Sequence, residues 1–388
     1  MNSNNKVKTF IPWEEIEPEA QEQITNTASM PFIFMHVAVM PDCHFGKGST
    51  VGTVLPTQDA IIPAAVGVDI GCGMIAVKTN LRREQLGDLA KLRKSIERSV
   101  PMSAGKYNNE VTESAQTRIN ILENTPHTDK VNGNWHEQLG TLGGGNHFIE
   151  ICLDETDTVW VTLHSGSRGV GNKVGMTYIS IAQKLCKDMF IKLPDPDLAY
   201  LPTNSQEFSN YMKDLNWSQK FALLNREEMM DRVLKDISYQ VFGQNGHQKE
   251  FEIERINCHH NFTEIENHFG HNIWITRKGA IQADEGKKAM IPGSMGTRSY
   301  IVSGKGNRDS FHSAPHGAGR RMSRHKAREL FSMDDLAKAM TGIEYRKSDV
   351  LVDEIPGAYK DIDQTIEYAK DLVNVEHTLK QILNCKGD

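Results

Sequence analysis

The 388-residue chain has no C-x-x-C pair, no G-x-x-x-x-G-K-[ST] loop and no apolar run approaching the roughly 18 residues that a membrane span requires. Its six cysteines (43, 72, 152, 186, 258 and 385) are scattered, which argues against a disulfide framework and against a four-cysteine zinc site. Without a P-loop, any nucleotide must be held by some other arrangement of backbone and cations. Basic residues are not in excess: 44 Lys and Arg against 50 Asp and Glu leave a formal charge of -6. That balance excludes indiscriminate coating of nucleic acid and leaves room only for a local basic groove. The stretch from Met1 to Thr9 lacks the apolar segment of a secretory signal, so a cytoplasmic location and no membrane partner are expected.

With 38% hydrophobic and 24% charged residues, the composition is that of a globular chain able to bury a full core. No internal repeat or low-complexity linker divides it, and glycine clusters punctuate its whole length. The expectation is an α+β fold in a single domain spanning 1–388, with a mixed β-sheet core, surrounding helices, and residues 79–138 as a polar helical excursion. Short β-like runs adjoin polar or Gly-rich turns at Met74 to Lys78, His147 to Cys152 and Val159 to Leu163. Apolar residues at helical spacing predict helices over 173–191 and 217–241. A third helix, over 332–340, opens on Ser332-x-x-Asp335, close to a capping box.

The segment Val66-Gly-Val-Asp-Ile-Gly-Cys-Gly-Met74 sets a carboxylate, Asp69, and a thiol, Cys72, three residues apart among small glycines. A hard oxygen and a soft sulfur together suit a borderline divalent ion such as Mn²⁺, Zn²⁺ or Fe²⁺ better than Mg²⁺ or Ca²⁺. Taken alone, the same pattern is equally a strand end with a buried free cysteine. Four imidazoles compete to join the pair: His147 in Gly-Gly-Asn-His-Phe, His164 at the end of an apolar strand, and the adjacent His259 and His260. A catalytic metal needs open positions, and two ions sharing one thiolate would use five ligands economically.

A second cluster is Ser313-Ala-Pro-His316-Gly-Ala-Gly-Arg-Arg321. Glycines around a histidine let a large group approach the ring, and arginines supply fixed positive charge for phosphate oxygens. His316 fits a nucleophile forming a phosphoramidate, or a general acid or base, and equally a loop residue that closes a turn. The loop Pro292 to Gly296 could form a backbone phosphate nest, and Thr276-Arg-Lys-Gly279 is a further anion candidate. Arg168, Arg320, Arg321 and Arg324 make a confined basic strip that could meet phosphates.

These motifs, in this order, resemble the RtcB family of GTP-dependent RNA ligases: Pro41-Asp-Cys-His-Phe-Gly-Lys-Gly48, the Asp69/Cys72 turn, Gly145-Asn-His-Phe148, His164-Ser-Gly-Ser-Arg-Gly169, His260-Asn261, Pro292-Gly-Ser-Met-Gly296, His316-Gly-Ala-Gly-Arg320 and Lys386-Gly387. The resemblance implies that Asp69, Cys72, His147, His164 and His260 hold two Mn²⁺ ions, with Cys72 bridging. It implies that His316 takes GMP from GTP and passes it to an RNA 3'-phosphate, which a 5'-hydroxyl then attacks, expelling GMP; a 2',3'-cyclic phosphate is opened first. Its nucleotide contacts fall on Asn146, Glu150, Ser294, Ala318, Gly319, Tyr359 and Lys386, with Tyr359 stacking on guanine. Arg168 and Lys278 fall near its phosphate site, and archease or a release-factor-like repair protein is the implied partner. Gly144 and Cys43 depart from the family's Thr and Val, and the region before Trp135 is shortened, which bears on the RNA accepted. Other readings are a 3'-end capping enzyme, a non-catalytic RNA-binding homologue and a metallohydrolase; the last explains neither Gly317-Ala-Gly-Arg320 nor Lys386.

Overall fold

The computed structural model describes residues 6–243 and 251–387. Its elements build an α+β architecture on two principal sheets. The larger runs in the order Lys288–Ile291, Arg298–Gly304, Val373–Lys386, Phe148–Leu153, Thr158–Ser165, Gly73–Arg82 and Glu252–His259, all antiparallel, with Glu344–Tyr345 added parallel to Val373–Lys386. The smaller has the order Val7–Thr9, Val37–His44, Val51–Thr57, His271–Lys278 and Asn261–His268, its first pair parallel. Two short pairs complete the strands, one of them joining Ala280–Gln282 to Ser313–Pro315.

Period-two alternation explains why the larger sheet is buried on both sides. Ile75 and Val77 turn to one face, where they meet Ile149, Ile151, Val161 and Leu163. Met74 and Ala76 turn to the other, with Phe148, Trp160 and Ile301. The helix Gln206–Phe242 closes the first face with Met229, Met230, Val233, Leu234 and Ile237, and the helix Leu89–Ser99 adds Leu92 and Ile96. Each such side chain, fully buried, contributes roughly 1.5–3 kcal/mol of hydrophobic stabilisation. Further along 79–138, Ala115, Ile119 and Leu122 pack with Trp217 and Phe221 of the same long helix.

Two helices begin earlier than their apolar periodicity suggests. The helix Gln206–Phe242 starts eleven residues before Trp217 because Ser205 caps it, its hydroxyl accepting from Phe208 N, and because the charged Asp214 is buried yet satisfied. Thr128 N and Oγ1 and Tyr178 Oη all donate to Asp214 at 2.7 Å. The helix Arg168–Asp188 starts in a Gly-rich turn, a composition that argues against helix on propensity. Glycine is required there by packing: a Cβ on Gly171 would lie 1.7 Å from Ser167 Oγ. The short helix Met333–Ala339 forms with the reciprocal Ser332/Asp335 capping box as the spacing predicts. No described helix is long and apolar enough to cross a membrane.

Candidate functional site

The metal-ligand candidates meet because neighbouring antiparallel strands bring their ends to one edge. Cys72 directly precedes Gly73–Arg82, His147 directly precedes Phe148–Leu153, and His164 stands near the end of Thr158–Ser165. Gly73 lies opposite both Ser165 and His259, and Phe148 lies opposite His164. His260 is the one residue between Glu252–His259 of the larger sheet and Asn261–His268 of the smaller. Gly73 is obligatory at this crowded edge, since a Cβ there would meet Cys258 O at 2.0 Å.

Cys72 Sγ lies 3.5 Å from His147 Nε2 and 3.2 Å from His164 Nε2. His147 Nε2 is 3.1 Å from Asp69 Oδ2, and His164 Nε2 is 2.9 Å from His260 Nε2. The far nitrogen of each ring fixes the tautomer. His147 Nδ1 donates to Leu142 O at 3.0 Å, His164 Nδ1 to Asn146 O at 3.2 Å, and His260 Nδ1 to Asn261 Oδ1 at 3.3 Å. These carbonyl oxygens can only accept, so in the neutral rings all three Nε2 atoms present lone pairs to one another, to the sulfur and to the carboxylate. Lone pairs at 2.9 Å repel unless a cation lies among them, and the donor set of one sulfur, three nitrogens and one carboxylate fits a borderline divalent ion. Cys72, His147 and His164 satisfy the mutual spacing of a metal cluster.

The electrostatics agree with that reading. Burial pushes His164 and His260 well below the ordinary imidazole range, helped at His164 by His147 and His316 and at His260 by His316 and His164, which keeps both rings neutral. Burial alone would raise the Asp69 carboxyl, but positive charge at the cluster, supplied by His147 when its ring is protonated, holds it at about 2. Burial and then Asp69 raise the Cys72 thiol, so the thiolate form needs a cation beside it.

His259 does not belong to the cluster. Adjacent residues leaving a strand point to opposite sides, and His259 Nδ1 instead lies 2.8 Å from Gly71 O and 3.1 Å from Arg226 Nη2. Arg226 is fully buried in the long helix. It donates to Gly71 O at 2.8 Å, Ser165 O at 3.0 Å and Asn257 Oδ1 at 2.8 Å, tying together three of the ligand-bearing segments. Sequence reading missed it because a lone arginine in an amphipathic helix looks like a solvated one.

His316 follows the short strand Ser313–Pro315 and shares one cavity with the cluster, its ring centroid 4.6 Å from that of His260. Its Nδ1 donates to Asp42 Oδ2 at 2.6 Å, and the same oxygen accepts from His316 N at 3.1 Å and Gly317 N at 3.3 Å. Asp42 is fully buried on the strand Val37–His44. It is a second residue that sequence reading passed over, although the motif Pro41-Asp-Cys-His-Phe-Gly-Lys-Gly48 contained it. With Nδ1 holding the proton, Nε2 is the ring atom with a free lone pair.

The cavity, about 340 Å³, is lined by Asp69, Cys72, His164, His260 and His316 at one end and by Asn146, Glu150, Ser294, Ala318, Gly319, Tyr359 and Lys386 around the rest. Gly319, at φ 74°, lets the backbone pass against Asp42, where a Cβ would come within 2.2 Å of Asp42 O. Glu354, unnoticed in the sequence, is the hub of the far wall. It accepts from Lys386 Nζ at 3.0 Å and Tyr359 Oη at 2.8 Å, and Arg324 reaches its other oxygen. Burial would raise the Glu354 carboxyl, but Lys386 and Arg324 hold it at about 2. Glu150 lacks such an ion pair, and burial pushes it up to about 8.

The fold divides the nominated arginine strip. Arg320 and Arg324 line the cavity but are engaged by Asp353, Glu354 and Tyr359. Arg321 turns away, its Nε donating to Gly357 O at 2.8 Å. Arg168, at φ 59°, donates to Thr141 Oγ1 at 3.3 Å and packs on Gly143, near enough to Asp69 for the two charges to interact. Of Thr276 to Gly279, only Lys278 lines the cavity from its side chain; burial pushes its ammonium down to about 7. Arg277 is buried elsewhere against Glu266. The expected phosphate nest at 292–296 does not stand open, because Gly293 N, Ser294 N and Gly296 N already donate to Ser299, Thr297 and Gln381.

The family model described as tRNA-splicing ligase RtcB matches residues 23–387. The chain is 47% identical to the RNA-splicing ligase RtcB of Escherichia coli (strain K12), over 99% of this chain and 98% of that protein. It is 31% identical to the tRNA-splicing ligase RtcB of Aeropyrum pernix, over 89% of this chain and 86% of that one. Identity to the Methanococcus maripaludis tRNA-splicing ligase RtcB is 29%, over 92% and 89%. The motif turns that converge on this cavity lie within a match spanning nearly the whole sequence, and the chain belongs to the RtcB family.

Proposed function

We propose that this protein is a GTP- and Mn²⁺-dependent RNA ligase that joins an RNA 3'-phosphate, or a 2',3'-cyclic phosphate after its opening, to a 5'-hydroxyl. The observation that carries the reading is the Asp42–His316 pair at 2.6 Å in one cavity with a convergent cysteine, histidine and aspartate cluster. Asp69, Cys72, His147, His164 and His260 would hold two Mn²⁺ ions with Cys72 shared; bound there, they supply positive charge to the attacking and leaving oxygens.

Asp42 keeps the proton on Nδ1, so Nε2 of His316 attacks the α-phosphorus of GTP. A nitrogen–phosphorus bond forms, the bond to pyrophosphate breaks, and the ring's new positive charge is shared with the Asp42 carboxylate. An oxygen of the RNA 3'-phosphate then takes the GMP from the ring. The 5'-hydroxyl attacks the activated phosphate, and GMP leaves. A bare 3'-phosphate repels nucleophiles by its own charge, and GMP turns it into a phosphoric anhydride with a good leaving group. Lys386 donates to the guanine O6 acceptor, where adenine presents an amino donor; the wrong base would leave a buried donor unpaired at about 1–3 kcal/mol. Archease or a release-factor-like repair protein is the partner this reading implies.

The test is incubation with Mn²⁺ and GTP labelled at the α-phosphate, followed by denaturation. Wild type should retain label. His316→Ala should lose label and keep its metal, whereas Cys72→Ala should lose both. Label retained by His316→Ala would place the nucleophile elsewhere.

A further inference from the structure

A second cavity, about 650 Å³, lies on the other side of Tyr359, which lines both spaces. Tyr359 forms the ridge between them, bridged to Arg320 through the backbone and tied to Glu354 through its hydroxyl. It is lined by Arg298, Lys380 and Gln381 from the paired strands Arg298–Gly304 and Val373–Lys386, and by the segments 341–343 and 356–363. Four cations line it, Arg298, Arg321, Lys360 and Lys380, against two carboxylates, Asp361 and Asp363, on a chain whose overall charge is -6.

Both carboxylates are already occupied. Asp363 pairs with Arg298 at 3.0 Å and accepts from Tyr300 Oη at 2.5 Å, and Asp361 caps the following helix by accepting from Asp363 N. Lys360 Nζ donates to Pro41 O and Cys43 O, the residues flanking Asp42. Arg321 and Lys380 are exposed and carry no ion pair among the described residues. Arg298 and Lys380 stand directly opposite each other in the strand register. Like charges so placed destabilise a sheet; Asp363 offsets the Arg298 side, and an anion lying over Lys380 would relieve the rest.

We propose that this groove binds the phosphodiester backbone of the RNA strand whose end reacts in the central cavity. The proposal rests on the ligase reading and adds the path of the polymer. A 340 Å³ cavity takes a nucleotide and a chain end. The rest of the strand must leave over its rim, and on the Tyr359 side that rim adjoins the groove in which Arg321 and Lys380 carry no ion pair among the described residues. Contacts to phosphate position a strand without reading its sequence, so the groove serves any RNA with suitable ends.

The test uses fluorescein-labelled single-stranded RNA, one oligonucleotide with a 3'-phosphate and one with a 5'-hydroxyl, titrated with the full chain by anisotropy across a salt series. The variants are Lys380→Glu and the neutral Lys380→Gln. The neutral change removes the repulsion facing Arg298 and breaks no ion pair among the described residues, so its loss of binding cannot be laid to a weaker sheet. The log–log salt slope should fall by about 0.7 for each phosphate contact removed, for one or both strands and equally across sequences. GMP attachment to Lys380→Glu should proceed at the wild-type rate. An unchanged slope in both variants overturns the proposal, as does GMP attachment falling in step with RNA binding. Retained RNA binding with lost binding of labelled polyglutamate also overturns it, and gives the groove to an acidic polypeptide. Wild type that binds both strands and joins neither would fail the ligase reading while leaving the groove proposal standing.

Discussion

Asp42→Asn isolates how His316 is prepared for attack. In the native site, Asp42 Oδ2 accepts three N–H groups, two from backbone and one from the ring at 2.6 Å. An asparagine fits the space but has one acceptor oxygen. With that oxygen in the Oδ2 position, all three N–H groups keep an acceptor, but an uncharged one. With the amide nitrogen there instead, it faces Nδ1 as a donor, forces the ring proton onto Nε2, the atom required to attack, and leaves the buried amides of His316 and Gly317 without an acceptor, at about 1–3 kcal/mol for each unsatisfied group. Either way the carboxylate that would share the ring's positive charge is gone. Its loss should slow GMP attachment about 10²- to 10⁴-fold, or roughly 3–5 kcal/mol in the barrier. The assay is single-turnover labelling with α-labelled GTP, beside metal analysis and the joining of a strand already carrying a 3'-terminal GMP. That last step bypasses His316, so it should stay near the wild-type rate. Attachment within about threefold of wild type would refute the reasoning. So would an equal loss in joining the pre-activated strand, which would mark Asp42 as a general structural support.

Arg226→Met should cost metal before it costs fold. It strands Ser165 O and Asn257 Oδ1 without the guanidinium, while Gly71 O keeps His259. Two orphaned acceptors imply about 2–6 kcal/mol of destabilisation, read as a lower urea midpoint, and Mn²⁺ affinity should fall further than in a surface arginine control. Unchanged metal affinity would remove Arg226 from the support of the site. Glu150→Gln tests the buried carboxyl. With a folded value of about 8 against an ordinary 4.5, the folded state holds a proton that the unfolded state releases, so stability falls as pH rises between those values. Glutamine keeps an acceptor for Asn384 Nδ2 and has nothing to ionise. The variant's urea midpoint should therefore decline less than wild type's between pH 5 and about 8. Parallel declines would show that Glu150 is ionised in the free protein.

Much of the architecture and of the cluster was legible in the chain itself. Short, nearly continuous apolar runs over Met74 to Lys78 and Val159 to Leu163 mark strands, and they are continuous because both faces of the larger sheet are buried; the Asp69/Cys72 turn, His147, His164 and His316 stand out by their glycine company. These are local signals, and local backbone preference produces them. What the sequence left open depends on contacts through space. The residue pattern offered His259 and His260 as equals and the family resemblance singled out His260; the strand register gives the physical reason, sending one ring to Arg226 and the other to Cys72's cluster. Asp42 and His316 are 274 residues apart, and Arg226 lies 155 from Gly71. No periodicity reports such pairings, because the sheet edges that create them are assembled from distant strands. The four arginines read as one strip along the chain. The tertiary structure separates them, since a buried carboxylate such as Glu354 claims the cations within its reach and leaves the others facing solvent or a groove.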